Sequence, residues 1–199
     1  VDSLLIANCT LLDAAGPTGV REGQYIAIAG NTIRAIPSQP DRPAARTIQA
    51  RDLLAIPGLI NAHSHSPEYL VKATSERLPL EPWLFFLFSG LATEFDDRQL
   101  YLAAALNTLE MIRMGATAVL DHLWMNPAYT LSGLDAAMAA YREVGLRAAV
   151  APMVDDINPL WAYVKQAGLS VDDTQAFALG VEERPPYAET VALLEAFMQ

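Results

Sequence analysis

The chain has 199 residues, of which 52% are apolar and 18% charged, a composition that supports a packed core and excludes a disordered polymer. Its formal net charge of −10 repels phosphate backbones and excludes nucleic acid as a partner class. No uninterrupted apolar run approaches the roughly 18 residues of a membrane span, and Val1-Asp2-Ser3 opens no basic leader, so neither a membrane segment nor a signal peptide is expected.

The first 56 residues read as β. Leu4 to Cys9 is an apolar run, and Cys9, the sole cysteine, reads as a small core residue. No disulfide can form within the chain, which fits a reducing, cytoplasmic location. Tyr25 to Ala29, Gly30-Asn31 and Thr32 to Ile36 form a strand, a two-residue turn and a strand. Gly and Asn both tolerate positive φ, as a tight hairpin turn requires. Pro37, Pro40 and Pro43 mark a loop. Short apolar segments then resume at Thr47 to Ala50 and Leu53 to Ile56.

Pro57-Gly58 is a break. Beyond it, Gly58 to His63 is a short apolar strand that runs into polar residues. Asp97 to Met114 has helical periodicity, with Leu102, Leu106, Leu109 and Ile112 on one face and Gly115 as a stop. Ala116 to Leu120 reads as a buried strand. The unit repeats: Ser132 with Asp135 suggests a capping box, Leu134, Met138 and Tyr141 recur at helical spacing, Gly145 ends the helix, and Leu146 to Val154 is a strand. Met111, Met114 and Met138 are expected to fill core. Tyr187 to Met198 reads as a further helix with Val191 and Leu194 inward. Strands alternating with helices imply a parallel sheet with crossover helices. A complete eightfold barrel needs about 250 residues, so such a barrel would stop near its third unit here.

Ala62-His63-Ser64-His65 carries the chemistry. Residues i and i+2 of a strand share a face, so His63 and His65 can grip one ion from one wall. Neutral imidazole suits zinc, with iron or manganese as alternatives. A bare His-x-His is a weak signal, but the chain has three histidines and two are here, directly after an apolar strand. The C-terminal end of a strand is where barrel enzymes place their sites. His122 ends the second strand at the same mouth, either lining a substrate pocket or closing the strand. Its neighbour Asp121 reads as structural. Trp83 either stacks on a heteroaromatic ring or packs beside Phe85, Phe86 and Phe88. Glu68 and Glu81 are carboxylates near the mouth by sequence, a position in which most are simply solvated. Asp155-Asp156 reads as loop capping.

Pro57-Gly58-Leu59-Ile60-Asn61-Ala62-His63-Ser64-His65 closely resembles the first-strand motif of the amidohydrolase superfamily. Leu70-Val71-Lys72 stands where many members have a Leu-Leu-Arg-Gly-like segment. Leu80 to Leu84 resembles the Glu-x-Trp-Leu segment of the branch that holds cytosine, guanine and adenosine-homologue deaminases and aminotriazine hydrolases. Gly115 to His122 resembles that branch's second barrel strand, and Ala149 to Met153 its third. The resemblance implies an α/β fold, the N-terminal part of a (β/α)8 TIM barrel preceded by strands of a small β-sandwich. Residues 1–56 would belong to the composite sandwich and 57–199 to the first strands and helices of an incomplete barrel.

It further implies a hydrolase with one divalent metal, zinc foremost, held by His63 and His65. Such an enzyme acts on C–N bonds of cyclic amidines, deaminating a purine, pyrimidine or triazine-like ring with a metal-activated water. Trp83, His122 and Glu68 would contact a small heterocyclic substrate. The acid–base glutamate and last-strand aspartate of the family are expected beyond Gln199, so the chain by itself is expected to be inactive. The alternatives are a triazine dechlorinase or dealkylaminase with the same site, and a non-catalytic fragment. No membrane or nucleic-acid partner is implied, and a homodimer is an open alternative.

Overall fold

The computed structural model describes residues 2–74, 76–87, 94–126, 128–154, 166–168, 170 and 186–198, the side chains of Glu81 and Phe85 excepted. The chain divides into two compact units, Val1–Pro57 and Gly58–Gln199.

The first unit is a five-stranded sheet. Strands β1 (Leu4–Leu12), β2 (Val20–Ala29) and β3 (Thr32–Ala35) pair antiparallel in sequence order, and β4 (Thr47–Gln49) and β5 (Leu54–Ala55) each add parallel to β1. The β2–β3 hairpin turns at Gly30-Asn31 as the sequence suggests. Gly30 adopts φ +61°, and Asn31 is not among the residues with positive φ, so one left-handed residue suffices for this turn. Alternate residues of β1 point inward, and Cys9 is fully buried beside Ile26 and Ala50. The Cys9 thiol donates to the Gln24 carbonyl at 3.4 Å, as a core residue does. Arg34 reaches across the sheet to the buried Asp2, with Nε and Nη2 each 2.8 Å from a carboxylate oxygen, and also pairs with Asp41 at 2.7 Å.

The second unit is a three-stranded parallel sheet, β6 (Leu59–Ser64), β7 (Ala116–Asp121) and β8 (Arg147–Val150), in that order. Helix α2 (Asp97–Arg113) links β6 to β7, and α3 (Leu131–Val144) links β7 to β8. A 3-10 helix (Ser66–Val71) and α1 (Leu80–Phe86) follow β6, and α4 (Tyr187–Phe197) packs Leu193, Leu194 and Phe197 against the main core. In register, Ser64 lies beside Asp121 and Asp121 beside Val150, so the strand ends are level. This mixed α/β arrangement is that of the first strands of a (β/α)8 barrel.

Three expectations need correction. The face of α2 bearing Leu106, Leu109 and Ile112 is exposed, and the buried face is Leu100, Ala103, Ala104, Thr108 and Met111. The alanines win because they let α2 lie close to Ala137 and Ala140 of α3, where a leucine ridge would hold the helices apart. Helix α3 begins two residues earlier than Ser132 suggests: Thr130 caps it by accepting from the Gly133 N–H at 3.1 Å, and Ser132 bonds Asp97 instead. Met114 is 73% exposed and fills no core, whereas Met111 does. Phe88, an expected packing neighbour of Trp83, lies outside the described residues.

Candidate functional site

His63 is the penultimate residue of β6, and His65 follows one residue beyond the strand's end. His65 lies just past the strand with φ −128° and ψ 87°. The two rings meet edge to face with centroids 4.7 Å apart. His122 follows β7 directly, and its ring centroid lies 4.7 Å from that of His63 and 5.9 Å from that of His65. All three histidines therefore gather at the C-terminal ends of two neighbouring parallel strands. Among the described residues, no group of three or more His, Cys, Asp or Glu side chains is placed to hold one ion. His63 and His65 are the closest pair of potential ligands on one strand end, with ring centroids 4.7 Å apart.

The His65 ring is held from behind. Its Nδ1 lies 2.8 Å from the carbonyl oxygen of His122. A carbonyl only accepts, so Nδ1 is the donor, and in the neutral ring Nε2 then keeps its lone pair free. This is the state in which imidazole ligates a metal, with a fixed outer partner. His65 is thus chemically suited to ligate a divalent metal, and the His63 ring lies 4.7 Å from it.

A cavity of about 360 Å³ opens beside His65, with Glu68, Tyr69, Lys72, Trp83 and Asn107 on its wall. Trp83 also packs against Leu87 and Trp124. Glu68 accepts from the Trp124 indole N–H at 3.3 Å. Burial raises the Glu68 carboxyl above the ordinary carboxylate range, opposed by the nearby His65 and the indole hydrogen bond. It is not the solvated carboxylate expected of its type. At the cavity rim, Lys72 pairs with Glu110 of α2 at 2.5 Å.

Asp121 is structural, as its position at the end of an apolar strand suggests. It is fully buried and accepts three hydrogen bonds: from the Ser66 N–H at 2.9 Å, the Ser66 hydroxyl at 2.6 Å and the Tyr141 hydroxyl at 2.8 Å. Burial, then the Asp121 carboxylate, pushes the Tyr141 phenol well above its usual value, so it stays a donor. Sequence reading missed Ser66, Tyr141 and Asn107, which donates to the Ser64 hydroxyl at 2.9 Å. One signal was available: a buried carboxylate needs partners, and Tyr141 lies on the inward face of α3. The Glu81 side chain and the pair Asp155-Asp156 lie outside the described residues.

The amidohydrolase family matches residues 54–198, and the chain belongs to that family. Among curated relatives, the chain is 29% identical over 150 residues to a 5-methylthioadenosine/S-adenosylhomocysteine deaminase of Pelotomaculum thermopropionicum, covering 73% of this chain and 33% of the relative. It is 30% identical over 147 residues to an 8-oxoguanine deaminase of Pseudomonas aeruginosa, covering 73% and 31%. The chain therefore spans about a third of the length of these relatives. Among solved structures, an atrazine chlorohydrolase of Arthrobacter aurescens complexed with zinc matches with a TM-score of 0.68 at 26% identity, over 92% of this chain and 40% of the other. An adenosine deaminase of Xanthomonas campestris with bound zinc matches with a TM-score of 0.62 at 26% identity, over 84% and 38%.

Proposed function

We propose that this chain forms part of a metal-dependent hydrolase that deaminates a small nitrogen heterocycle, with His63 and His65 as metal ligands. The observation that carries this reading is the convergence of two imidazoles at the end of β6, one with its Nδ1 committed to a carbonyl and its Nε2 free. A divalent ion, zinc by analogy with the zinc-bound relatives, would supply Lewis-acid activation of a water at neutral pH. The chain's own residues do the rest of what can be derived. His63 and His65 hold the ion, and Trp83 offers a flat face to a heteroaromatic ring across the cavity. Glu68 presents a half-buried carboxyl to the same space, suited to hydrogen-bonding a ring heteroatom. His122 abuts His63 and bounds the site on the β7 side.

In this reading residues 1–56 contribute to a composite β-sandwich, residues 57–199 belong to the barrel, and the protein works in the cytoplasm. No helix among the described residues is long and apolar enough to cross a membrane. A second reading, hydrolytic removal of chloride from a triazine, is favoured by the likeness to the atrazine chlorohydrolase. The test is metal analysis of the native gene product, with assays for ammonia release from adenosine-type, oxopurine and aminotriazine substrates and for chloride release from a chlorotriazine. Ammonia release that falls, together with metal content, in His63→Ala and His65→Ala supports deamination at this site. Chloride release alone favours the second reading. Metal content unchanged in both variants removes the ligand assignment.

A further inference from the structure

The ends of β6 and β7 are joined by bonds at three successive residues. The Ser64 carbonyl accepts from the His122 N–H at 2.8 Å, His65 Nδ1 meets the His122 carbonyl at 2.8 Å, and Ser66 gives both its N–H and its hydroxyl to Asp121. Three successive residues, Ser64, His65 and Ser66, thus bond to two, His122 and Asp121, around His65. Helix α3 closes the arrangement, because the Tyr141 hydroxyl shares Asp121 Oδ2 with Ser66. Ser66, Asp121 and Tyr141 are all at most 2% exposed, so water cannot substitute for a lost partner.

We infer that Asp121, Ser66 and Tyr141 form a clasp that positions His65: it fixes the residue after His65 and the residue before His122, and so holds the His65 ring on the His122 carbonyl with Nδ1 protonated and Nε2 free. All three are at most 2% exposed and act through His65, so they are positioning residues. Two features make the geometry specific. The clasp brackets His65 on the sequence side where the strand has already ended, so strand pairing alone does not fix that ring. The acceptor for Nδ1 is a main-chain carbonyl, whose place is set by the residues on either side of it. Asp121 is bonded on both counts, since its side chain holds Ser66 and its carbonyl accepts from the Ala151 N–H at 2.8 Å. The inference rests on the reading of His65 as a ligand only in its metal arm.

The test uses the 199-residue chain without metal, at roughly pH 9, where reference imidazole is neutral. The nitrogen-15 signals of the His65 ring report which nitrogen bears the proton. In the parent chain the two signals should be well separated, with Nδ1 protonated. In Tyr141→Phe and Ser66→Ala, each of which removes one donor to Asp121, the separation should shrink as the second tautomer is populated. Tyr101→Phe is the control, because that phenol bonds Glu143 at 2.6 Å on the surface and should leave His65 unchanged. Zinc affinity, by competition with a chelator, should fall about 10–100-fold in the clasp variants, the usual cost of losing an outer partner. If the clasp variants lower the melting temperature yet leave both ring nitrogens of His65 where they were, the residues are structural only and the inference fails. If the tautomer shifts but the clasp variants bind zinc as the parent chain does, the clasp stands and the reading of His65 as a ligand falls.

Discussion

Gly58 shows what a single missing carbon atom can decide. It precedes β6, and a Cβ there would lie 2.2 Å from Thr117 Cγ2 and 2.4 Å from Thr117 Oγ1. The glycine is needed for close approach of two strands, because Thr117 is β-branched at the start of β7 and has little freedom to turn away. Gly58→Ala should therefore destabilise the second unit by about 1–3 kcal/mol, the usual cost of overpacking. Thr117→Ala in the same chain should recover part of that loss. Urea denaturation followed by far-UV circular dichroism measures both, and an unshifted midpoint for Gly58→Ala would contradict the packing. Arg34 poses a different question in the first unit. Its hydrogen bonds lower the Asp2 and Asp41 carboxyls below their ordinary values. A folded-state pKa below the unfolded one gives stability that is present above the unfolded value, about 3.9, and is lost as pH falls through the folded value. Arg34→Gln should therefore lower the melting temperature at pH 7, and its deficit should narrow as the pH drops below about 4. A deficit that is constant from pH 7 to pH 2 would mean the guanidinium acts through packing alone.

At the scale of elements, nearly every strand and helix was legible, and the orientation of α2 was not. Periodicity says that a helix has an apolar stripe; it does not say which stripe meets a partner when there are two. Helix α2 carries one stripe of leucines and one of alanines, and hydrophobicity favours the first while close packing against α3 selects the second. The same limit hid the true cap of α3, since Thr130 and Ser132 are equally good capping residues and only the turn geometry chooses between them. Two substitutions on α2 separate the stripes. Leu100→Ala removes a side chain from the main core and should cost about 2–5 kcal/mol. Leu109→Ala acts on a residue 48% exposed and should cost under about 1 kcal/mol. Comparable losses in the two variants, read as denaturation midpoints, would show that the leucine stripe is covered in solution.

For the whole molecule, the sequence announced the histidine pair because a period-two motif at the end of an apolar strand has a geometric meaning that needs no tertiary information. The third histidine, His122, could be placed at the same mouth because it ends the second parallel strand. What holds His65 could not be read in full: Asp121 reads as structural and Tyr141 as inward on α3, but their meeting with Ser66 follows only when two strand ends and a helix are assembled. The same reasoning sets an expectation for metal binding by the 199-residue chain. Catalytic zinc sites generally use three protein ligands, and the described residues supply two imidazoles with no carboxylate or thiolate aimed at the ion. Two neutral ligands leave the ion's charge uncompensated and most of its coordination to water. The chain should therefore take up zinc weakly, give it up to a mild chelator, and release no measurable ammonia. His63→Ala and His65→Ala should each abolish the residual binding. His122→Ala should leave it nearly intact, because that ring contacts His63 but belongs to no ligand group of three. Zinc titration of the four chains by calorimetry decides the matter: tight binding by the parent that His122→Ala destroys would make His122 a third ligand and overturn the two-histidine assignment.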